Sequence, residues 1–508
     1  MRISLFRTAS AAACLLAGLG AAAQQPAPAP RDEFFWLGQI NKATAVINTE
    51  AGLLDRALAP RLAAGVAQVI DAGNRPGGRR PGTVITFEPL LIEAAGPEVT
   101  LLHAGRSSQD MHATFRAAIL RDDLLALADQ LDKTTATLVA LAERHAGTIV
   151  PNYTNGVAAQ PNSYGHYLLG HAAGLARDAD RIREAYVRTD RSPMGTTVLN
   201  GTSWPLDRNR MAAYLGFGAT VDNAYDAAQI FTGERAVEVG SIVASIALHA
   251  GAFIEDVMTQ YAQPRPWILL QEGGGNTYVS SAMPQKRNPG LLNATRREAS
   301  TAITLAQGTV IQAHNIPPGM DDPKSVPANS AMVKERHHGA ARLAAHPRRA
   351  GHQPRASAGG AQQRLDREPG AGRRADAQVP AAVSHRPPFR LRDRGPCQGA
   401  RPPPARFSLR RGAPHLCPGG AGHALPARAA DEREGIPQHA RPGDHRAQPR
   451  NRATAGGPQP AEMQRMLAEA RGRLVRQQDW VSEKRGFIDA SLARLDRDFD
   501  RLRTAPDR

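Results

Sequence analysis

Apolar residues recur at three- and four-residue intervals along most of this 508-residue chain, with polar residues between them. This spacing places the apolar side chains on one face of a helix, and few alternating β-branched runs interrupt it. The pattern predicts an all-α protein, built as an elongated bundle of long helices with a small helical lobe at its N-terminus. The predicted helices span residues 41–70 (as one or two helices), 111–144, 164–190, 208–217, 222–262 and 291–310.

The helical pattern stops at about residue 337 and returns at about residue 457. Residues 337–456 contain 22 arginines, no lysine and 8 acidic residues, and therefore carry +14 of the formal net charge of +16. Only 11 of these 120 residues are Leu, Ile, Val, Phe, Met, Trp or Tyr. That is too little apolar surface to offset the entropy of ordering the segment. We predict a disordered basic insertion, which is either native or read out of its native frame.

The two ends of the chain carry different signals. Residues 1–23 combine early positive charges with a short run of small apolar residues, which is typical of a secretory signal peptide. We therefore expect a periplasmic or secreted protein. Residues 457–508 should form an amphipathic helix, because an apolar stripe recurs at Leu492, Leu495, Phe499 and Leu502. Between these ends we expect the N-terminal lobe at 24–112 and the central bundle at 113–336.

Composition argues against several classes of function. The three cysteines, Cys14, Cys397 and Cys417, show neither a disulfide framework nor a zinc-binding spacing. His166 and His171 are five residues apart, which is a poor spacing for one helical face, so no metal is predicted. The basic segment lacks lysine and interleaved aromatic residues, so nucleic-acid binding is not predicted. We expect no cofactor, and no membrane partner once the signal peptide is removed.

Candidate chemistry concentrates in residues 278–289, which read Tyr-Val-Ser-Ser-Ala-Met-Pro-Gln-Lys-Arg-Asn-Pro. The glycines at 273–275 would let this stretch move like a lid or approach a ligand closely. A Gly-rich surface turn before a capped helix would explain any one of these features, but their combination favours a catalytic loop. Its candidate side chains, which suit an anionic transition state, are Ser280, Ser281, Lys286 and Asn288.

Two further polar segments are candidate parts of the site. Residues 101–110 lead directly into the helix predicted at 111–144, and a helix N-terminus with free N–H groups attracts anions. An ordinary N-cap is the alternative interpretation of this segment. Residues 151–166 form the second segment, which we interpret as a loop followed by a helix. The candidate residues in the first segment are Arg106 and Ser107.

Residues 278–289 resemble the signature loop of the fumarase/aspartase superfamily, Gly-Ser-Ser-x-Met-Pro-x-Lys-x-Asn-Pro, and within it the argininosuccinate lyase family. Val279 replaces the glycine of that pattern. Residues 103–110 are similar to the family's His-Thr-Gly-Arg-Ser-Arg-Asn-Asp, with Ser108 and Gln109 as the departures in its second half. Further similarities follow in order at 151–166, 201–208, 223–227 and 314–324, so the resemblance covers about residues 32–335.

The resemblance implies a carbon–nitrogen lyase of the argininosuccinate lyase type, which β-eliminates an amine from an N-substituted aspartate and releases fumarate. It implies that Ser280 is the general base and that Lys286 and Asn288 bind carboxylates. Asn155 occupies the position of a family histidine usually assigned to acid or proton-relay work. The remaining substrate-binding residues implied are Arg106, Ser107, Thr154, Gln160, Ser281, Asn315 and Lys324. It also implies a homotetramer, which the insertion at 337–456 should weaken.

Departures from the family pattern leave two alternatives open. The amide of Asn155 cannot act as a general acid or base near neutral pH. Around Asn315 the tyrosine, arginine and glutamine that help to select argininosuccinate are missing. The chain is therefore expected either to act on a different N-substituted aspartate after export, or to be a catalytically impaired or non-catalytic member of the family.

Overall fold

The computed structural model describes residues 30–264, 266–270, 272, 275–320, 327–333, 350–351 and 449–505. The predicted signal peptide and nearly all of the predicted insertion lie outside these residues. The helices are α1 Glu33–Glu50, α2 Ala59–Asn74, α3 Val84–Ala95, α4 Ser108–Arg144, α5 Tyr164–Thr189, α6 Arg208–Tyr214, α7 Phe231–Tyr261, α8 Gly290–Ala313 and α9 Pro460–Arg503. A 3₁₀ helix at Pro97–His103 and a π turn at Asp226–Ile230 precede α4 and α7.

Short strands interrupt the helical pattern and form, within the described residues, three antiparallel pairs and one parallel pair, β3 with β4. The longest pair is β1 Ile149–Thr154 with β2 Val157–Ser163, which form a hairpin. The interpretation of 151–166 as a loop was therefore wrong in part, because most of that segment is paired strand. The other strands are two residues long: β3 Arg191–Ser192 pairs with β4 Ala219–Thr220, β5 Leu269–Leu270 with β8 Ala350–Gly351, and β6 Tyr278–Val279 with β7 Arg287–Asn288.

Side-chain caps explain where several helices begin. Asp32 accepts a hydrogen bond from the N–H of Phe35 at the start of α1, and Thr83 does the same for Thr86 at the start of α3. Such caps satisfy N–H groups that lack a partner within the helix. The apolar pattern at 41–70 is covered by two helices, α1 and α2, and α1 begins before residue 41.

The C-terminal helix α9 packs into the same hydrophobic core as α1. Leu492, Leu495 and Phe499 of its predicted stripe are buried in the same cluster as Trp36 and Ile40 of α1. Burial of this stripe is the main source of stability for so long and charged a helix. The structure describes the chain again from residue 449, ahead of the predicted C-terminal helix. The N–H of Gly456 donates to Glu462 at the start of α9.

Helix α7 packs against α5 and α8. With its preceding π turn it is long and apolar enough to cross a membrane, because an 18-residue window has a mean hydropathy of 1.7. Of that window, 44% is buried inside the protein. A core helix of a soluble bundle has the same properties, so this feature by itself is not evidence of membrane contact.

Candidate active site

The predicted catalytic loop is a short hairpin that lies directly before α8. Strands β6 and β7 pair Tyr278 with Asn288 and Val279 with Arg287. Within the turn, the N–H of Ser280 donates to the carbonyl of Lys286 at 3.4 Å, and the N–H of Lys286 donates to Met283 at 2.9 Å. These bonds hold Ser280 and Lys286 at facing positions of one turn. We refer to residues 278–288 as the signature hairpin.

The reactive side chains of the signature hairpin face solvent. Ser281 and Lys286 are exposed, and Ser280 is half-buried. Within the part of the chain that the structure describes, the hydroxyls of both serines and the ammonium group of Lys286 have no hydrogen-bond or ion-pair partner. The Asn288 amide differs, because its Nδ2 donates to the Tyr278 carbonyl at 3.3 Å. Three of the four predicted groups are therefore available to an incoming anion.

The base of the signature hairpin is tied to the helices on either side. The Tyr261 hydroxyl at the end of α7 donates to the Arg287 carbonyl at 3.3 Å. The N–H of Leu291 in α8 donates to the carbonyl of Asn276 at 3.0 Å. Asn276 is only 2% exposed, and neither polar atom of its amide has a partner among the described residues. The anchored base and open tip suit a loop that presents catalytic groups.

The hairpin β1–β2 explains the presence of Asn155. Asn155 and Gly156 connect the two strands with φ values of 51° and 74°. Two consecutive residues with positive φ are what a type I′ turn requires, and Asn-Gly is the favoured pair for it. Thr154 and Gln160 flank this turn on the strands and are exposed. Sequence reasoning missed the hairpin, although the Asn-Gly pair is its usual signal.

Both hairpins contact the last turn of α7. A Cβ at Gly156 would lie 3.7 Å from Cγ2 of Thr259, and Tyr261, two residues further along, bonds to the signature hairpin. One chain therefore brings the segment carrying Thr154, Asn155 and Gln160 to the same end of the bundle as Ser280 and Lys286. This common end is the candidate active site.

The third predicted segment has a different environment. Arg106 is 7% exposed, and its guanidinium donates to Thr44 Oγ1 at 2.9 Å and Asn41 Oδ1 at 2.7 Å. Burial lowers the pKa of Arg106 to about 10. Ser107 caps α4 in a capping box with Asp110. Arg106 is thus turned toward α1 and Ser107 is the N-cap of α4, while their roles in substrate binding stay predictions.

Asp110 organises the chain around this helix start. Its buried carboxylate accepts the N–H groups of Ser107, Gly195, Thr196 and Thr197 at 2.8–3.1 Å. Burial raises the pKa of Asp110, and the bonds from Ser107, Thr197 and Thr196 oppose that shift. Asp110 therefore links α4 to the turn at residues 195–197.

The length of α4 separates the predicted segments within one chain. Arg106 and Ser107 lie at its N-terminus, and the hairpin β1–β2 follows its C-terminus. At 1.5 Å per residue, the 37 residues of α4 span roughly 55 Å. One copy of the chain therefore does not assemble Arg106 with Thr154 or Ser280.

The last two predicted binders lie beyond α8. Asn315 is exposed and has a φ of 57° just after the helix ends, which is a conformation that asparagine tolerates well. Lys324 lies outside the described residues. Within the described residues, no group of three or more His, Cys, Asp or Glu side chains is placed to hold a metal ion.

Residues 88–303 match the protein family described as Lyase. Argininosuccinate lyase of Haloarcula marismortui is 32% identical over 271 residues, covering 53% of this chain and 53% of that protein. Argininosuccinate lyase of a Geobacillus species is 35% identical over 235 residues, covering 44% and 50%. The chain therefore spans about half the length of the curated relatives it matches.

Solved structures show the same fold at low sequence identity. EDDS lyase in complex with formate has a TM-score of 0.67 and 19% identity, covering 93% of this chain and 92% of that chain. Fumarate lyase:delta crystallin from Brucella melitensis bound to cobalt has a TM-score of 0.52 and 18% identity, covering 62% and 74%. The predicted helical fold of the fumarase/aspartase type is confirmed. The predicted resemblance is confirmed as well: residues 88–303 match the Lyase family, and argininosuccinate lyases are relatives of this chain.

Proposed function

We propose that this protein is a carbon–nitrogen lyase that β-eliminates an amine from an N-substituted aspartate and releases fumarate. The observation that carries the proposal is the signature hairpin, which presents Ser280, Ser281 and Lys286 to solvent while its base is anchored to α7 and α8. The lyase-family match over residues 88–303 includes this hairpin.

In the proposed reaction, Ser280 acts as its alkoxide and takes the proton from the carbon next to a carboxylate. The electron pair of that C–H bond first moves onto the carboxylate, forming a dianionic aci-carboxylate. Lys286 and the Ser281 hydroxyl are placed on the same turn to stabilise this charge, which is usually the largest catalytic contribution. The electrons then form the C=C bond of fumarate as the C–N bond breaks. A nearby ammonium also favours the alkoxide form of Ser280.

The departing amine must gain a proton, and the position of Asn155 affects this step. An amide cannot supply that proton near neutral pH. We propose that water delivers the proton, because Asn155 sits on an exposed turn. This arrangement suits substrates whose amine leaves readily, which favours an N-substituted aspartate other than argininosuccinate. A non-catalytic family member is the second candidate, and the same replacement of the family histidine favours it.

The test of function is a fumarate absorbance assay with a panel of N-substituted aspartates, including argininosuccinate. We expect release of fumarate, with argininosuccinate as one of the poorer substrates. Absence of fumarate from every member of the panel, with a correctly folded protein, would favour the non-catalytic alternative. A specificity constant highest for argininosuccinate would contradict the proposed substrate class but retain the lyase.

The variant Ser280→Ala should reduce the rate of fumarate release to less than about a tenth of wild type, because the hydroxyl is the proposed base. Helicity should stay unchanged, since the signature hairpin contributes no residue to either hydrophobic cluster of the described residues. Ser300→Ala, an exposed serine on α8, is the matched control and should keep full activity. If Ser280→Ala kept more than about a tenth of the rate, another group would have to be the base.

We further propose export to the periplasm or the medium, and a homotetramer of the family type. Exposed apolar side chains support assembly: Val187, Leu248, Val310 and Ile311 are 61%, 64%, 51% and 75% exposed on α5, α7 and α8. Residues 337–456 lack the apolar positions of a bundle helix, so the tetramer should be weak. Sedimentation velocity should show dissociation in the micromolar range, and a tetramer stable at that concentration would contradict this expectation.

A further inference from the structure

A long cavity lies between α5 and α9, with one wall supplied by α4. We call it the α5–α9 cavity. It is separate from the signature hairpin, none of whose residues line it. Its floor consists of small or apolar side chains from α5 and α9, namely Leu169, Ala172, Ala176, Ala179, Met466 and Leu474. Such a floor fits the short hydrocarbon body of a small molecule.

Two buried polar side chains that line this cavity each have one polar atom without a hydrogen-bond partner among the described residues. Asp132 of α4 is 4% exposed and Gln477 of α9 is 5% exposed. Among the described residues, Oδ2 of Asp132 and Nε2 of Gln477 have no hydrogen-bond partner. A buried polar group without a partner costs free energy, so native structures normally satisfy it. Two such groups from different helices, facing one cavity, indicate a built site.

The charged side chains around the cavity determine which ligand charge it favours. Five arginines line it against three carboxyl groups, and some of the arginines are already paired: Arg183 with Asp180, and Arg473 with Glu469. Arg177 and Arg476 form no ion pair within the described part of the chain. The excess positive charge favours an anion.

We propose that the α5–α9 cavity is a second binding site, which takes the carboxylate of a small organic acid, held by the Gln477 amide and the Arg476 guanidinium. The amide Nε2 supplies a donor at the buried end, and the arginine supplies a charge-assisted bond. The alanine floor accommodates the carbon chain. This proposal does not depend on the lyase reaction, because it uses none of the residues assigned to it.

Asp132 gives the proposed site a pH dependence. The pKa of Asp132 is raised to about 7, chiefly by burial and also by the neighbouring Asp129, while Arg183 opposes both. The protonated acid can donate a hydrogen bond to a bound carboxylate, whereas the ionised form would repel it. Binding therefore takes up a proton and weakens as pH rises. The other charged or titratable groups that face the cavity are His166, Arg177 and Asp180 from α5, and Arg465, Glu469, Arg473 and Arg476 from α9.

The test is calorimetric titration with sodium succinate. Every titration is made in the Lys286→Met background, so that binding at the signature hairpin does not contribute. We expect the dissociation constant to rise about tenfold between pH 6 and pH 8, as one proton linked to a group of pKa about 7 requires. Asp132→Asn should still bind succinate and should lose most of this pH dependence.

Two variants locate the site. Gln477→Leu and Arg476→Gln should each weaken succinate binding by about tenfold or more. Arg497→Gln is the matched control, because it removes the same charge from an exposed position on the same helix, outside the cavity. Arg476 is exposed, so its variant should fold even if the Gln477 variant does not.

Three results would overturn the proposal. The first is absence of succinate binding at millimolar concentration, which would show a cavity satisfied by water only. The second is equal loss of affinity in Arg476→Gln and Arg497→Gln, which would show nonspecific attraction. The third is full pH dependence in Asp132→Asn, which would assign the proton to another group and remove Asp132 from the site.

Discussion

The turn at residues 103–110 and the signature hairpin are both polar segments that lead into a long helix. Their polar groups differ in burial: those of the turn are buried and hydrogen-bonded, and those of the hairpin are largely exposed. In the first segment, Arg106 is buried on Thr44 and Asn41, and Asp110 is buried on four backbone N–H groups. In the second, Ser281 and Lys286 are exposed and make no side-chain bond within the described residues.

This contrast separates structural from chemical roles. A charged group that is already bonded in the interior has little capacity left for a ligand, and its removal leaves buried partners unsatisfied. An exposed group without partners contributes little to folding and remains available for catalysis. The two segments therefore predict different outcomes from similar substitutions: loss of stability in the first, and loss of activity in the second.

The largest effect is expected for Asp110→Ala. The substitution leaves the N–H groups of Ser107, Gly195, Thr196 and Thr197 without their acceptor. We expect the free energy of unfolding to fall by roughly 3–5 kcal/mol, as for other buried charge networks that lose one member. Denaturant unfolding followed by circular dichroism measures this change.

Asp207→Ala is the control for Asp110→Ala. Asp207 caps α6 through a single bond to the N–H of Arg210 at 2.9 Å, so its loss should cost about 1 kcal/mol. Equal and small losses for both aspartates would show that the turn at 195–197 does not depend on Asp110. The proposed structural role of the first segment would then fail.

Local spacing was sufficient to predict most helices. Helix α5 spans 164–189 where 164–190 was expected, and the stripe at Leu492, Leu495 and Phe499 is buried as predicted. Amphipathic periodicity over many turns is a strong signal because it reflects a requirement of packing itself. The predicted helix at 208–217 is shorter in the structure, since α6 ends at Tyr214 and a turn follows.

Contacts between distant parts of the chain could not be predicted from spacing. Arg106 was expected to bind substrate, and only the fold shows that Asn41 and Thr44 lie within its reach. The placement of Asp132 and Gln477 on one cavity likewise depends on how α9 returns to the bundle. The hairpin at Asn155 is a different case, because its Asn-Gly turn is a local signal of a hairpin, whereas the segment was predicted to be a loop.

The smallest effect on stability, and the sharpest test of the contrast, is expected for Arg287→Gln. Arg287 Nε lies 3.0 Å from Glu272 Oε1, and the Glu272 side chain is 68% exposed. A pair so exposed should contribute no more than about 0.5 kcal/mol, so the free energy of unfolding should be nearly unchanged. Hydrogen exchange at 278–288 should nevertheless become faster, because the pair ties the hairpin to the preceding segment.

Arg297→Gln is the control: it removes an exposed arginine of α8 that has no ion pair in the described part of the chain, and it should change neither quantity. A loss of more than about 2 kcal/mol in Arg287→Gln, beyond the usual range for surface substitutions, would show that the signature hairpin unfolds together with the core. The hairpin would then be as structural as the turn around Asp110, and exposure alone would no longer distinguish the two segments.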